Sequence, residues 1–161
     1  MRLAVVSDTH LPRGTRELPP RLIEECRAAD LILHAGDFTA LSVLVELELL
    51  GPVAAVCGNC DDAQLATHLP VERIVEAGGA RLGMVHDSGP ADRRGARMRA
   101  RFPTCHAVVF GHSHLPLVEQ AGDLLLLNPG SAIERRRAPT CTMALMNMAD
   151  GRIDARLLDL P

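Results

Sequence analysis

No apolar run in this 161-residue chain approaches the roughly 18 residues needed to span a bilayer. The apolar stretch after Met1 ends at Ser7-Asp8, too short for the core of a signal peptide. Membrane insertion and secretion are both disfavoured on that ground. The chain also lacks any linker, internal repeat or low-complexity segment, so residues 1–161 read as a single domain. Basic charge is in deficit: 17 arginines stand against 20 acidic residues, giving a formal net charge of −3, which speaks against a binder driven by phosphate neutralisation. Lysine, tryptophan and tyrosine are absent and asparagine is scarce, a bias that a G+C-rich genome produces and that carries no mechanism. Five cysteines, an odd number set mostly in apolar runs, read as free thiols of a reducing compartment, and a cytoplasmic location is expected. What is present suffices for a core: 47% apolar and 23% charged residues are ordinary values for a globular domain.

Arg2 to Ser7, Leu31 to Ala35 and Val53 to Cys57 are short apolar runs that suit strands buried on both faces. Pro20 to Ala29, with Leu22, Ile23 and Cys26 on one stripe, predicts a helix. Ala40 to Leu50 contains an alternating Val45-Glu46-Leu47-Glu48-Leu49, but its composition and the need for a crossover between parallel strands also predict helix. The first third is thus β-α-β-α-β. Beyond it, Val71 to Ala77 and Ala80 to His86 flank Gly78-Gly79 as a hairpin, and Ala91 to Phe102 reads as an arginine-rich helix. His106 to Phe110, Leu115 to Gln120, Leu124 to Leu127, Thr140 to Met148 and Arg152 to Leu158 are predicted strands, with turns at Ala121-Gly122-Asp123 and Ala149-Asp150-Gly151. An α/β start followed by a strand-rich remainder implies two sheets packed face to face with helices outside.

Polar residues follow these runs where a parallel sheet would gather them. Asp8 and His10 come after the first, Asp37 after the second, Asn59 after the third, His86 at the end of the fifth, and His112 and His114 after the sixth. Side chains at the carboxyl ends of strands converge on one crevice. Carboxylate, imidazole and amide oxygen together suit a borderline-to-hard divalent ion, Mn²⁺, Fe²⁺ or Zn²⁺. Seven donors exceed what one ion with an open position needs and are about right for two, with Asp37 as the natural bridge.

In order, Asp8-Thr9-His10, Gly36-Asp37, Gly58-Asn59, His86 and Gly111-His112-Ser113-His114 resemble the D-x-H, G-D, G-N, H and G-H-x-H blocks of the calcineurin-like metallophosphoesterases. Gly58-Asn59-Cys60-Asp61 and Asn128-Pro129-Gly130-Ser131 are similar to the small bacterial and archaeal phosphodiesterases of that superfamily, whose fold the eukaryotic retromer subunit shares. The resemblance implies a four-layer α/β/β/α sandwich of two mixed sheets. It implies one ion held by Asp8, His10, Asp37 and His114, and another by Asp37, Asn59, His86 and His112. It further implies hydrolysis of a small phosphodiester by in-line attack of a hydroxide shared by the ions, with Asp37, Asn59 and His112 nearest the chemistry. Mn²⁺ is the first choice of ion, with Fe²⁺, Zn²⁺ or Ni²⁺ as alternatives. Two other functions fit the same fold: a non-catalytic interaction scaffold, which has no need to keep the ligands, and a nuclease, which would show a steep salt dependence.

Some residues depart from the pattern. His86 is followed by Asp87-Ser88-Gly89 instead of a second G-H pair, Cys60 stands where many relatives carry a histidine able to protonate the leaving group, and Arg135-Arg136-Arg137 precede Pro139. A neutral thiol is a poor acid for that task. His34 is expected to support or pack, His68 and His106 to be structural or exposed, and Cys57-x-x-Cys60 to have no redox role. Arg93, Arg97 and Arg101 form one solvated helix face. Arg13 and Asn59 are the candidates for contact with a substrate phosphate. Unpaired strand edges in the second half also predict a homo-oligomer.

Overall fold

The computed structural model describes residues 1–160. Its elements run β1 (Arg2–Val6), α1 (Pro20–Arg27), β2 (Leu31–His34), α2 (Leu41–Glu48), β3 (Val53–Ala55), α3 (Ala63–His68), β4 (Glu72–Ala77), β5 (Ala80–Val85), α4 (Arg94–Arg101), β6 (Ala107–Val109), β7 (Leu117–Ala121), β8 (Leu124–Asn128), β9 (Cys141–Ala149) and β10 (Arg152–Leu160). Within the predicted Ala40 to Leu50 helix, Leu41–Glu48 is helical, as its composition predicts. The one element unforeseen is α3, whose six residues bury only Leu65 and are started by the Asp62 carboxylate accepting from the Leu65 amide at 2.9 Å. Such a cap stabilises a helix start by about 1 kcal/mol, but one buried residue leaves no periodicity to read.

The strands form two mixed five-stranded sheets, ordered β10-β9-β1-β2-β3 and β4-β5-β6-β8-β7. β1, β2 and β3 are parallel, as are β5, β6 and β8, and antiparallel strands complete each sheet. The last two strands leave the second half of the chain and return to the first sheet, where β9 pairs with β1. Their hairpin closes through Asp150 and Gly151, both at positive φ, the backbone that a two-residue turn of matching twist requires.

The alternation along each strand builds the layers. Ala4 and Val6 of β1 and Ile32 of β2 pack with Leu22, Cys26, Leu44, Leu47 and Leu65 of the first three helices. Their neighbours Leu3, Val5 and Leu33 face the second sheet and meet Leu82, Met84, Val109 and Leu127. On that sheet's far side Val85, Val108 and Leu126 pack with Met98 and Phe102 of and beside α4. Each buried Leu, Val or Phe contributes roughly 1.5–3 kcal/mol, so a one-residue slip in β1 would forfeit both interfaces at once. The result is an α/β/β/α sandwich whose parallel strands bring their carboxyl ends to one rim. Among the described residues, no helix is long and apolar enough to cross a membrane.

Candidate metal centre

The loops at that rim carry all seven predicted donors. Five of them, Asp8, His10, Asp37, His112 and His114, have φ between 46° and 68°. Left-handed backbone is costly for residues other than glycine and persists where the surroundings enforce it. Here the first two loops continue side by side beyond their strands, with the amides of Asp8, His10 and Leu11 donating to the carbonyls of Gly36, Asp37 and Phe38 at 2.9–3.0 Å. The glycines before the ligands are needed for close approach. A Cβ on Gly58 would lie 2.2 Å from the Asp37 carboxylate, and one on Gly111 would lie 1.9 Å from Ser7 Oγ and 2.6 Å from Asp8 Oδ2.

The donors form two groups around Asp37. In the first, His114 Nε2 lies 3.3 Å from Asp8 Oδ1 and 3.2 Å from His10 Nε2. In the second, Asn59 Oδ1 lies 3.1 Å from His86 Nε2 and 2.9 Å from His112 Nδ1. Asp37 Oδ2 stands between them, 3.5 Å from His10 Nε2 and 3.3 Å from His86 Nε2. The backbone amide of His112 donates to Asp8 Oδ2 at 3.0 Å, which ties the groups together. Asp8 and His114 are fully buried and His10 is 9% exposed, whereas Asn59 and His112 face solvent.

Supporting contacts set which nitrogen each ring presents. His86 donates from Nδ1 to the Ala35 carbonyl at 2.7 Å, and His114 from Nδ1 to the Glu134 carbonyl, so both turn Nε2, the nitrogen an ion would take, toward the cluster. Burial pushes the Asp37 carboxyl up, but the hydrogen bond with His86 and the Cys60 amide at 2.8 Å outweigh it and hold the group well below the usual carboxylate range. Burial likewise lowers His86, yet its hydrogen bond with Asp37 and the charges of Asp8 and Asp37 leave it raised. For His10, burial dominates the pull of Asp37 and Asp8 and keeps the imidazole neutral, as a metal ligand must be. Imidazole nitrogens and carboxylate oxygens converging from separate loops fit divalent ions.

The remaining histidines lie outside the cluster. His34 accepts the Gly36 amide on Nδ1 at 3.2 Å, its Nε2 meets Thr9 Oγ1 at 3.2 Å, and its ring stacks on Phe38 with centroids 3.5 Å apart. It braces the two ligand loops from beneath. His68 is exposed on α3, and His106 is exposed and accepts the Arg81 amide at 3.0 Å.

The Asn-Pro-Gly-Ser block is a brace as well. Asn128 Nδ2 donates to the Gly111 carbonyl at 2.9 Å, and Ser131 Oγ donates to the Asp8 carbonyl at 2.7 Å while accepting the Glu134 amide at 2.9 Å. Arg13 is ion-paired with Glu134 and is largely exposed. Asp61 is occupied by the amides of Thr39 and Gly58 at 2.9 and 2.7 Å. The residue that sequence reasoning missed is Arg136. It sits at φ 47° at the tip of a turn closed by the Ala138 amide on the Arg135 carbonyl, and its charge adds slightly to the lowering of His10 and opposes the rise of Cys60. Among the described residues it makes no ion pair or side-chain hydrogen bond. Three consecutive arginines offered a hint, but not which of them acts on His10 and Cys60.

The calcineurin-like phosphoesterase superfamily domain matches residues 1–151, and the chain belongs to that superfamily. That family is one of metallophosphoesterases, a class that works with divalent ions, and the candidate donors are of the kind it requires. The chain is 36% identical over 163 residues to a probable metallophosphoesterase of Methanothermobacter thermautotrophicus, covering 99% of this chain and 90% of that one. It is 26% identical over 144 residues to a phosphodiesterase of Methanocaldococcus jannaschii, covering 81% of this chain and 83% of that one. The crystal structure of a Vps29 single mutant from Entamoeba histolytica superposes with a TM-score of 0.79 over 100% of both chains at 21% identity, a likeness of fold.

Proposed function

We propose that the protein hydrolyses small phosphodiesters with two divalent ions, Mn²⁺ by preference, and that residues 1–161 act as one domain. One ion site is assigned to Asp8, His10, Asp37 and His114, the other to Asp37, Asn59, His86 and His112. The observation that carries this reading is the position of Asp37 Oδ2, within 3.5 Å of an imidazole nitrogen of each group. Ions held there would supply an activated water at neutral pH and neutralise charge on the phosphoryl oxygens.

The chain's own residues account for the rest. Asn59 and His112, exposed at the mouth, are positioned to touch the phosphoryl group and its ester oxygens. Glu134 holds Arg13 and, at 3.7 Å, Arg16, while Arg136 makes no ion pair among the described residues. The phosphodiesterase relative supports the diester preference. The test is elemental analysis of the purified protein, followed by hydrolysis of bis(p-nitrophenyl) phosphate with added Mn²⁺. About two equivalents of metal and turnover that chelator abolishes are expected. A chain that takes up no metal and stays inert would instead be the interaction scaffold that the Vps29-like fold permits. Faster cleavage of oligonucleotides, falling steeply with salt, would favour the nuclease.

A further inference from the structure

A groove of about 530 Å³ opens beside the solvent-facing group, bounded by Asn59, His86 and His112 at the cluster and by Val71, Val85 and Arg101 beyond it. Its construction is tied to the ligands. β4 begins beside the last residue of β5, with Glu72 in register with Val85, and His86 follows at once. Arg101, the last residue of α4, reaches across and places Nε and Nη2 on Glu72 Oε1 at 2.7 and 2.6 Å. That double contact fixes the guanidinium plane and leaves Nη1, which has no partner among the described residues.

Beyond the cluster the wall is apolar at Val71 and Cys57 and charged at Arg101 and the exposed Asp87. Val71 is 68% exposed, an apolar side chain presented to water next to three polar donors. On the opposite side, Asp8, His10 and His114 are no more than 9% exposed, so an ester group has no space over them. A substituent on a phosphoryl group at Asn59 and His112 therefore leaves along Val71 toward Arg101. A methyl ester would not reach these residues. A ring would cover Val71 and could stack on the guanidinium, whose delocalised charge favours an aromatic face.

We propose that this groove is the subsite for one ester group of the substrate and selects a ring-sized, largely apolar alcohol, aromatic in preference to alkyl. The proposal rests on the phosphodiesterase reading and names the substrate class for that site. It also makes Arg101 a specificity residue in place of a member of a merely solvated helix face.

The experiment compares phenyl and methyl p-nitrophenyl phosphate, which share a leaving group, on the Mn²⁺-loaded enzyme. The phenyl diester should show a KM lower by about tenfold, the scale of discrimination that a small apolar pocket provides. In Val71→Ser and Arg101→Gln the ratio of the two KM values should fall toward one. Binding of phenylphosphonate and methylphosphonate, measured by calorimetry on the same proteins, reads the groove without turnover. A preference for the phenyl compound that both substitutions erase supports the subsite, even if neither diester is hydrolysed, in which case only the phosphodiesterase reading fails. Equal binding of the two phosphonates, binding of neither, or a preference surviving both substitutions overturns it.

Discussion

The two groups of donors either side of Asp37 differ in burial and in charge. The Asp8, His10 and His114 side is shut away from solvent and, with Asp37, would offer an ion two carboxylates and two imidazoles. The Asn59, His86 and His112 side opens to solvent at Asn59 and His112 and would offer one carboxylate, one neutral amide and two imidazoles. Charge attraction is stronger where water is excluded, and each additional anionic ligand adds to it. The buried side is therefore suited to retaining an ion, and the open side to exchanging ligands and meeting substrate. Backbone strain follows the same division: every ligand particular to the buried side has positive φ, while on the open side only His112 does.

Removing the shared residue is the most severe way to break this comparison. Asp37→Ala should lower metal content in both sites, beyond the about 10–100-fold loss of affinity that removal of a merely supporting partner brings. Asn59→Ala should empty one site only, leaving about one equivalent. Elemental analysis of the two variants decides the matter, and equal metal loss in both would falsify the bridging role of Asp37.

A sharper cut uses the two histidines of one loop. His112 and His114 are separated by a single residue, yet His112 Nδ1 meets Asn59 and His114 Nε2 meets Asp8. His114→Ala should empty the buried site, and His112→Ala the open one. Anomalous scattering from metal-soaked crystals of each variant would locate the surviving ion. Chelator titration of the unmodified protein should release the ions in two phases, the open site first. Loss of the same ion in both variants would remove the distinction between the halves.

Much of this candidate site could be read from residue order because each proposed ligand is attached to a feature with a local signature. The apolar runs announce β1, β2, β3, β5 and β6, and the polar residues that follow them lie where parallel strands end. Other features have no such signature. The return of β9 and β10 to the first sheet depends on long-range pairing that the alternation in Thr140 to Met148 does not specify. Arg13 and Arg136 look alike as exposed loop arginines, and only the fold reveals that Glu134 holds one while the other stands near His10. The groove was equally hidden, since Val71 and Arg101 are 30 residues apart and meet through Glu72.

The smallest effect is expected at Cys60, which sits on the border between the halves. Its amide anchors Asp37 Oδ1 at 2.8 Å, a contact that survives any side-chain change. Burial, followed by the hydrogen bond with Asp37 and the charge of that carboxylate, raises the thiol against the opposing influence of Arg136, so it remains protonated at neutral pH. A thiol is nevertheless a weak hydrogen-bond donor and a poor source of the proton that a departing alkoxide needs. A well-placed general acid contributes about 10²–10⁴-fold, so Cys60→Ala should cost far less than that range. The rate should depend steeply on leaving-group pKa, with nitrophenyl esters cleaved readily and alkyl esters poorly. Cys60→His should then improve the poor leaving groups more than the good ones, flattening the slope of log kcat/KM against leaving-group pKa. Cys60 Sγ also clusters with donor atoms of His10 and Asp37, within 4.8 Å of one another, so the same variants should be assayed for metal. Loss of metal from Cys60→Ala would make the thiol a ligand, and loss of activity with metal retained would give it a part in the chemistry. A flat profile in the unmodified enzyme would point to another acid, and exposed Asp87 would be the first to replace, since Asp61 is held by two backbone amides.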